Sequence, residues 1–453
     1  MKSKDIGIAG LWMSCNYGAV LTSYALCRLL RQLGYTPHLI DHSGKPGVPL
    51  RFREKDTLFR AFFDEKGIAT TCALGTQQEF AALNSQFSTF LVAADQVWRY
   101  DYNKKLGLYF FLDFVSPEHK KITYSSSFGT DICYAPDEFR QDASLYLGCF
   151  DGISTRERSG VSILKDQYGV DSTLVLDPVF MCDAAEFDAC CKDSARVMPC
   201  KPYILSYVLN PNEEIRRIIQ HVVQREDKAL VNMVDAQFEF ETKKAKLNLP
   251  NVIDNLSVND WVFYMKHCDY LVTDSFHGVC FALIFRKPFV CIGNEGRGLT
   301  RFVSLFEMVG LMGRLVGYNS TPDELDQLPD IDWAAVHSIL AKERAASLEW
   351  LINALNTDRS ESKRMNNIIV HNLIRLRTEI ADARNVTALH SSYNKLKSKY
   401  RYFWFMSKLS WGKKRKKYKA KKKRTLSLIK SIEKREREWL KGFQGDNSEN
   451  IRN

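Results

Sequence analysis

Up to about residue 355, short apolar runs alternate with stretches whose apolar positions return every three or four residues. Ile6 to Trp12 reads as a strand, Ser14 to Gly18 as a polar turn, and Ala19 to about Leu33 as a helix. Leu21, Ala25, Leu29, Leu30 and Leu33 share one face of that helix, and Gly34 supplies its stop. Pro37 to Asp41 is then a second strand, so the chain opens as the strand–helix–strand unit of a parallel α/β sheet. Further strands are predicted at Phe90 to Ala94, Ile122 to Ser126 and Gly152 to Thr155.

A break at Leu176-Asp-Pro-Val179 precedes a second series. Strands fall at Tyr203 to Leu209, Leu230 to Val234, Tyr270 to Thr273 and Pro288 to Ile292, with a helix from Glu213 to Val223. The pattern predicts two α/β halves, residues 1–180 and 181–356, hinged near 177–200, with the cleft between them as the binding site. Trp333 to Leu355 is expected to be a helix packing back on the body. Beyond it, residues 357–453 read as a mostly helical, partly disordered polybasic tail without strands, with helices expected at Asn366 to Ile380 and Leu426 to Leu440.

Charge changes this picture only at the tail. Of the formal net charge of +11, residues 397–441 carry 19 Lys and Arg against 3 Glu, so the rest of the chain is acidic by 5. No signal peptide is evident, and no apolar run approaches the ~18 residues of a membrane-spanning helix, so a cytoplasmic protein is expected. The 12 cysteines include no C-x-x-C pair, which argues against a thiolate metal site. No metal or cofactor is expected.

The candidate chemistry gathers at predicted strand ends. His277 and Gly278 follow the strand Tyr270 to Thr273 at the start of an apolar helix, beside Ser275. Ligands of open α/β sheets bind at the carboxyl ends of strands, helix N-termini attract anions, and a histidine there can move a proton near neutral pH. A buried, hydrogen-bonded histidine is the alternative. Arg156 follows Gly152 to Thr155 and suits a carboxylate or phosphate, unless it is spent on a salt bridge to Glu157 or Asp177. Asn294 to Gly298 and Arg301 read as a loop after a strand, with Asn294, Arg297 and Arg301 as polar contacts. Asn16, Tyr17 and Gly18 could offer N–H groups to a phosphate or sugar, or form a helix cap. Asp95 and Trp98 could hold a sugar by a carboxylate and a stacking ring, with core packing the alternative for Trp98. Ser127 could line the same rim.

Six ordered segments carry a resemblance. They are Asn16 to Leu26, Ala94 to Trp98, Tyr124 to Gly129, Ser154 to Gly160, Val175 to Val179 and Asp274 to Gly278. In this order and spacing the chain, over roughly residues 5–315, resembles the polysaccharide pyruvyl transferase family. That resemblance implies two Rossmann-like domains facing a cleft, similar to the GT-B architecture. It also implies transfer of a pyruvyl group from phosphoenolpyruvate to sugar hydroxyls of a cell-surface glycan precursor, the acceptor being a glycan or a lipid-linked sugar. A nucleotide-sugar glycosyltransferase on the same scaffold, or an adaptor acting through the tail, are the alternatives. Family members often carry an arginine just before the histidine. Ser275 stands there in this chain, so either Arg297 or Arg301 replaces the charge or the donor differs.

In the tail, Tyr400 to Met406 and Trp411 adjoin the basic run Lys413 to Arg424. Aromatic rings beside cations suit an anionic membrane surface, and residues 400–424 are expected to meet one at the inner face of the cell membrane. Nucleic acid, which charge alone also permits, is the weaker reading because the rings are clustered.

Overall fold

The computed structural model describes residues 4–434 apart from 14–15, 46–56, 195, 197–200, 235–238, 254–255, 294–297, 360, 410–415, 418, 424, 428 and 431–432. The chain divides into two units, Met1–Ile368 and Ile369–Asn453. The first unit holds two five-stranded sheets.

The first sheet has the order β3-β2-β1-β4-β5, formed by Ala69–Thr70, Thr36–Leu39, Asp5–Ala9, Thr89–Val92 and Lys120–Thr123. Every pairing in it is parallel. A short parallel pair, β6 (Ser154–Thr155) with β7 (Thr173–Leu174), extends it through single bridges from Ile122 to Gly152 and Ser126 to Thr155. The second sheet has the order β12-β11-β10-β8-β9, formed by Leu315–Val316, Phe289–Ile292, Tyr270–Thr273, Tyr203–Val208 and Ala229–Val234, again all parallel. The sequence-derived strands match these within a few residues, because buried parallel strands are nearly continuous apolar runs.

Both sheets reverse direction of growth once, between β1 and β4 and between β8 and β10. Such switch points open crevices at the carboxyl ends of the strands. The segments after β4 and β10 carry Asp95 and His277.

The helix Tyr17–Gln32 starts where Asn16 accepts from the Gly18 and Ala19 amides, at 2.8 and 3.4 Å. The helix Phe276–Phe285 is buried nearly all round, which accounts for its lack of a polar face. One apolar core runs through both halves: the Tyr17 ring stacks 6.0 Å from Trp261, which meets Phe281 edge-on at 5.0 Å. The helix Trp333–Asn356 returns to the first half. There Lys120 Nζ donates to the carbonyls of Leu355 and Thr357 at its end, at 2.6 and 2.7 Å. Ser347 accepts from the Leu176 amide at 3.0 Å.

In the tail region a single helix spans Glu361–Leu409, where separate shorter helices were expected. It takes in the predicted Asn366 to Ile380, and most of Leu426 to Leu440 lies outside the described residues. Among the described residues, no helix is long and apolar enough to cross a membrane.

His42, just beyond β2, lies buried with its ring 4.9 Å from Tyr109 and 5.9 Å from Phe110. Burial pushes its pKa down to about 4 from an ordinary 6.5, against the opposing pull of Asp41. The unfolded chain therefore takes up a proton before the folded one does, so stability is full above about pH 6.5 and falls as pH drops toward 4. Urea denaturation of His42→Gln is expected to show a shallower loss over that window than the wild type. Parallel curves would place the acid sensitivity elsewhere.

Candidate active site at the meeting of two sheet edges

Arg156 is the centre of the site. It follows β6, lies 5% exposed, and donates from Nη1 to Asp177 Oδ2 at 2.6 Å and from Nη2 to Asp95 Oδ1 at 2.7 Å. Asp177 precedes Pro178 and also accepts from the Thr22 hydroxyl at 2.7 Å. Three separate segments of the first half thus converge on one guanidinium. The second half adds His277, whose Nε2 stands 3.6 Å from Asp177 Oδ2, an ion-pair distance longer than a hydrogen bond. It also adds Arg301, with Nη1 3.9 Å from Asp95 Oδ1. The Phe276 ring lies beside these groups, with the Arg156 and Arg301 guanidinium carbons 4.8 and 5.2 Å from its centroid. Desolvated cation–ring contacts contribute about 2 kcal/mol.

The electrostatics follow from burial and neighbours. Burial alone would raise the Asp177 pKa, but His277, Arg156 and the Thr22 hydroxyl hold it well below the usual carboxylate range. Asp95 is likewise held down against burial by Arg156, His277 and Arg301. Burial pushes the Arg301 pKa down to about 10, helped by the charge of Arg156. Glu157 is fully buried, and burial raises its pKa despite Arg156. Its Oε1 accepts from the Phe128 and Gly129 amides at 2.8 and 3.2 Å, which fixes the loop after β5.

Two backbone features mark strain at this edge. Asp95 has φ 83° and Ser125 φ 57°, conformations that cost a side chain of order 1–3 kcal/mol. Beside the cluster, Ser125 Oγ, Thr155 Oγ1 and Arg156 Nε are buried without a hydrogen-bond partner. Buried polar groups usually find a partner, so these atoms keep unused hydrogen-bonding capacity beside the cluster.

Of the residues picked from sequence, Asp95, Arg156, His277 and Arg301 come together here. Gly18 joins them, because a Cβ at that position would stand 2.1 Å from His277 Nδ1. Only glycine lets the first helix approach the imidazole so closely. Arg301 is placed differently from expectation: it lies in the first turn of the helix Thr300–Val309, buried, and not in an open loop.

The remaining picks do other things. Asn16 is a helix cap, and the Tyr17 hydroxyl donates to Leu256 O at 2.8 Å. Trp98 is 3% exposed, with its indole N–H on Phe110 O at 3.2 Å and its ring against Phe111 and Phe128. It is a core residue with no face open for stacking a sugar. Ser275 accepts from the Gly278 amide at 3.2 Å, so both serve the start of the His277 helix. Ser127 is buried, its amide on Asp95 O at 3.0 Å and its carbonyl on the Trp98 amide at 3.1 Å. Asn294 and Arg297 lie outside the described residues. Asp274 is spent on the turn after β8, accepting from the Leu209 and Asn210 amides at 2.6 and 3.0 Å.

Asp177 and Glu157 enter the site although they were read from sequence only as possible partners of Arg156. A signal existed for Asp177: it is the one charge in the apolar run Leu174 to Met181, and a buried charge needs a partner. Phe276 gave no signal.

Two parallel sheets, with an imidazole and two guanidinium groups brought together from both halves, frame the candidate site of an α/β protein. The family model for polysaccharide pyruvyl transferase matches residues 16–296, more than half of the chain, and the protein belongs to that family. It is a transferase of the class that modifies polysaccharides. No curated protein matches it. Among solved structures it is similar to a glycosyltransferase from Rickettsia africae, at 11% identity over 82% of this chain and 98% of that one, TM-score 0.43. It is also similar to S. aureus MnaA solved with UDP, at 14% identity over 80% and 99%, TM-score 0.49. A third is the UDP-GlcNAc 2-epimerase of Neisseria meningitidis, at 10% identity over 78% and 100%, TM-score 0.46.

Arg156→Met should leave two carboxylates buried without their shared cation. The expected loss is about 3–5 kcal/mol of folding stability, read from urea denaturation. A variant within about 0.5 kcal/mol of wild type would mean that the cluster does not hold the fold.

Proposed function

We propose that the protein is a pyruvyl transferase that moves the pyruvyl group of phosphoenolpyruvate onto sugar hydroxyls of a cell-surface glycan precursor, with His277 as the acid–base residue. The observation that carries this reading is the pairing of one imidazole with two arginines at a buried site built by both halves. Phosphoenolpyruvate has a phosphate and a carboxylate, which match guanidinium groups, and a methylene that must gain a proton.

In the proposed course the His277 imidazolium protonates the methylene carbon. Positive character then develops at the adjoining carbon, a sugar hydroxyl adds there, and its proton returns to the imidazole. A second hydroxyl of the sugar next forms the other C–O bond as the bond from that carbon to the phosphate oxygen breaks, its proton leaves on the departing phosphate, and the products are a ketal and hydrogen phosphate. Asp177 steadies the charged imidazole, as a carboxylate behind a histidine does. Arg156 and Arg301 meet the donor's anionic groups, and Arg301 supplies the charge that Ser275 does not. Gly18 leaves room for the ring, and Asp95 faces the same arginines.

His277→Ala should lower turnover by about 10²–10⁴-fold with the fold retained. Mass analysis of the product from phosphoenolpyruvate and a candidate acceptor reads this out, beside circular dichroism. Turnover near wild type removes His277 from the chemistry. A parallel thermal-shift series separates the donor classes: stabilisation by phosphoenolpyruvate is expected, and stabilisation by a nucleotide sugar alone would favour a glycosyltransferase.

The tail is proposed to bring the enzyme to an anionic membrane, near a lipid-linked acceptor. In support, Tyr402 and Trp404 are exposed, Lys408 Nζ lies 4.4 Å from the Trp404 ring centroid, and Lys422 Nζ lies 5.7 Å from that of Tyr400. Each cation at such a surface contributes about 1 kcal/mol. Deleting residues 397–453 should abolish co-sedimentation with phosphatidylserine-containing vesicles and spare activity on a soluble acceptor. Unchanged sedimentation would assign the tail another role.

A further inference from the structure

The two arginines of the site are not waiting for a ligand. Arg156 is bound at both ends, to Asp177 and Asp95, and Arg301 reaches the same Asp95 oxygen. In this arrangement two carboxylates offset two guanidinium groups, and Glu157 lies against them as well. An anionic substrate meets no surplus of arginine charge.

The four side chains differ in exposure. Those of Arg156 and Asp177 are each 1% exposed and that of Arg301 6%, while that of Asp95 is 13% exposed. Asp95 is therefore the most exposed of the four and the more exposed of the two carboxylates. It is also the strained one, with φ 83° three residues past the end of the switch-point strand β4. Its backbone carbonyl is tied to the Val97 and Ser127 amides at 2.7 and 3.0 Å, so a swing of its side chain need not unmake the loop. Asp177 is anchored by Thr22 and Val179 and has no such freedom.

We propose that Asp95 is an internal stand-in for the substrate anion: its carboxylate occupies the Arg156–Arg301 subsite until a phosphate or carboxylate group of the donor displaces it. This inference rests on the two arginines being the anion ligands of the proposed transferase, and it adds that their affinity is set by a competitor within the chain. Displacement leaves Arg156 on Asp177 and gives its second edge, with Arg301, to the incoming oxyanion. It also moves a negative charge away from the donor, so binding and unmasking are one event. The same competition discriminates against weak anions, because a ligand must outbid a carboxylate already held at 2.7 Å.

Asp95→Asn removes the competing charge while keeping the shape. Isothermal titration with inorganic phosphate, and separately with pyruvate, is expected to show at least one of them binding about tenfold tighter or more to the variant, the size of one charge-assisted hydrogen bond. Phosphate responding alone assigns the subsite to the donor's phosphate, and pyruvate alone to its carboxylate. Adding Arg301→Gln should cancel the gain. Equal or weaker binding of both anions by Asp95→Asn, or a gain that survives loss of Arg301, overturns the proposal. If Asp95→Asn does not fold, wild-type crystals soaked in phosphate decide. The anion should then lie on Arg156 and Arg301 with the Asp95 carboxylate swung away, and phosphate bound there beside an Asp95 carboxylate still 2.7 Å from Arg156, or bound only elsewhere, counts against displacement. None of these readings uses turnover, so a failed transfer assay and a failed displacement are told apart.

Discussion

The double ion pair of Arg156 is the constraint on which the rest depends. A guanidinium buried at this depth is tolerable only with carboxylates in place on both sides, and removing either partner leaves a charge stranded. Asp95 comes from the end of β4 and Asp177 from the segment after β7. The chain around each strand end is therefore bound to run where it does. Glu157, next to Arg156, then holds the Phe128 and Gly129 amides and completes the rim.

What the first half fixes, the second half uses. The His277 helix begins at Ser275, its ring rests against Gly18, and its outer nitrogen faces Asp177. Arg301 and Arg156 share the Phe276 ring. Arg156, Asp95 and Asp177 come from the first half and His277 and Arg301 from the second, so the cluster exists only where both meet. The apolar core through Tyr17, Trp261 and Phe281 keeps the two edges in register, so a charged cluster can persist in a closed interior.

Most of the framework was legible in the sequence because its signals are local. Parallel strands are short apolar runs, and the helix after Asn16 announces its cap, its periodic face and its stop at Gly34. The segment around His277 was legible for the same reason: a strand, a capping serine and an apolar helix follow one another. The misplaced features depend on partners far away in the chain. Trp98 has the look of a sugar-stacking ring, but Phe111 and Phe128 close over it. Arg301 was assigned to a loop because the helix that buries it starts only one residue earlier. That Arg156 would take Asp95, 61 residues away, as well as Asp177 is a tertiary fact with no local trace.

The central claim is that one donor molecule bridges the arginines and the imidazole. A crystal structure of the enzyme with phosphoenolpyruvate, trapped with the His277→Asn variant, tests it most directly. The account predicts the donor's anionic groups on Arg156 and Arg301 and its methylene carbon within about 3–3.5 Å of the residue 277 side chain. Donor density bound away from both arginines, or with the methylene turned from residue 277, would contradict it.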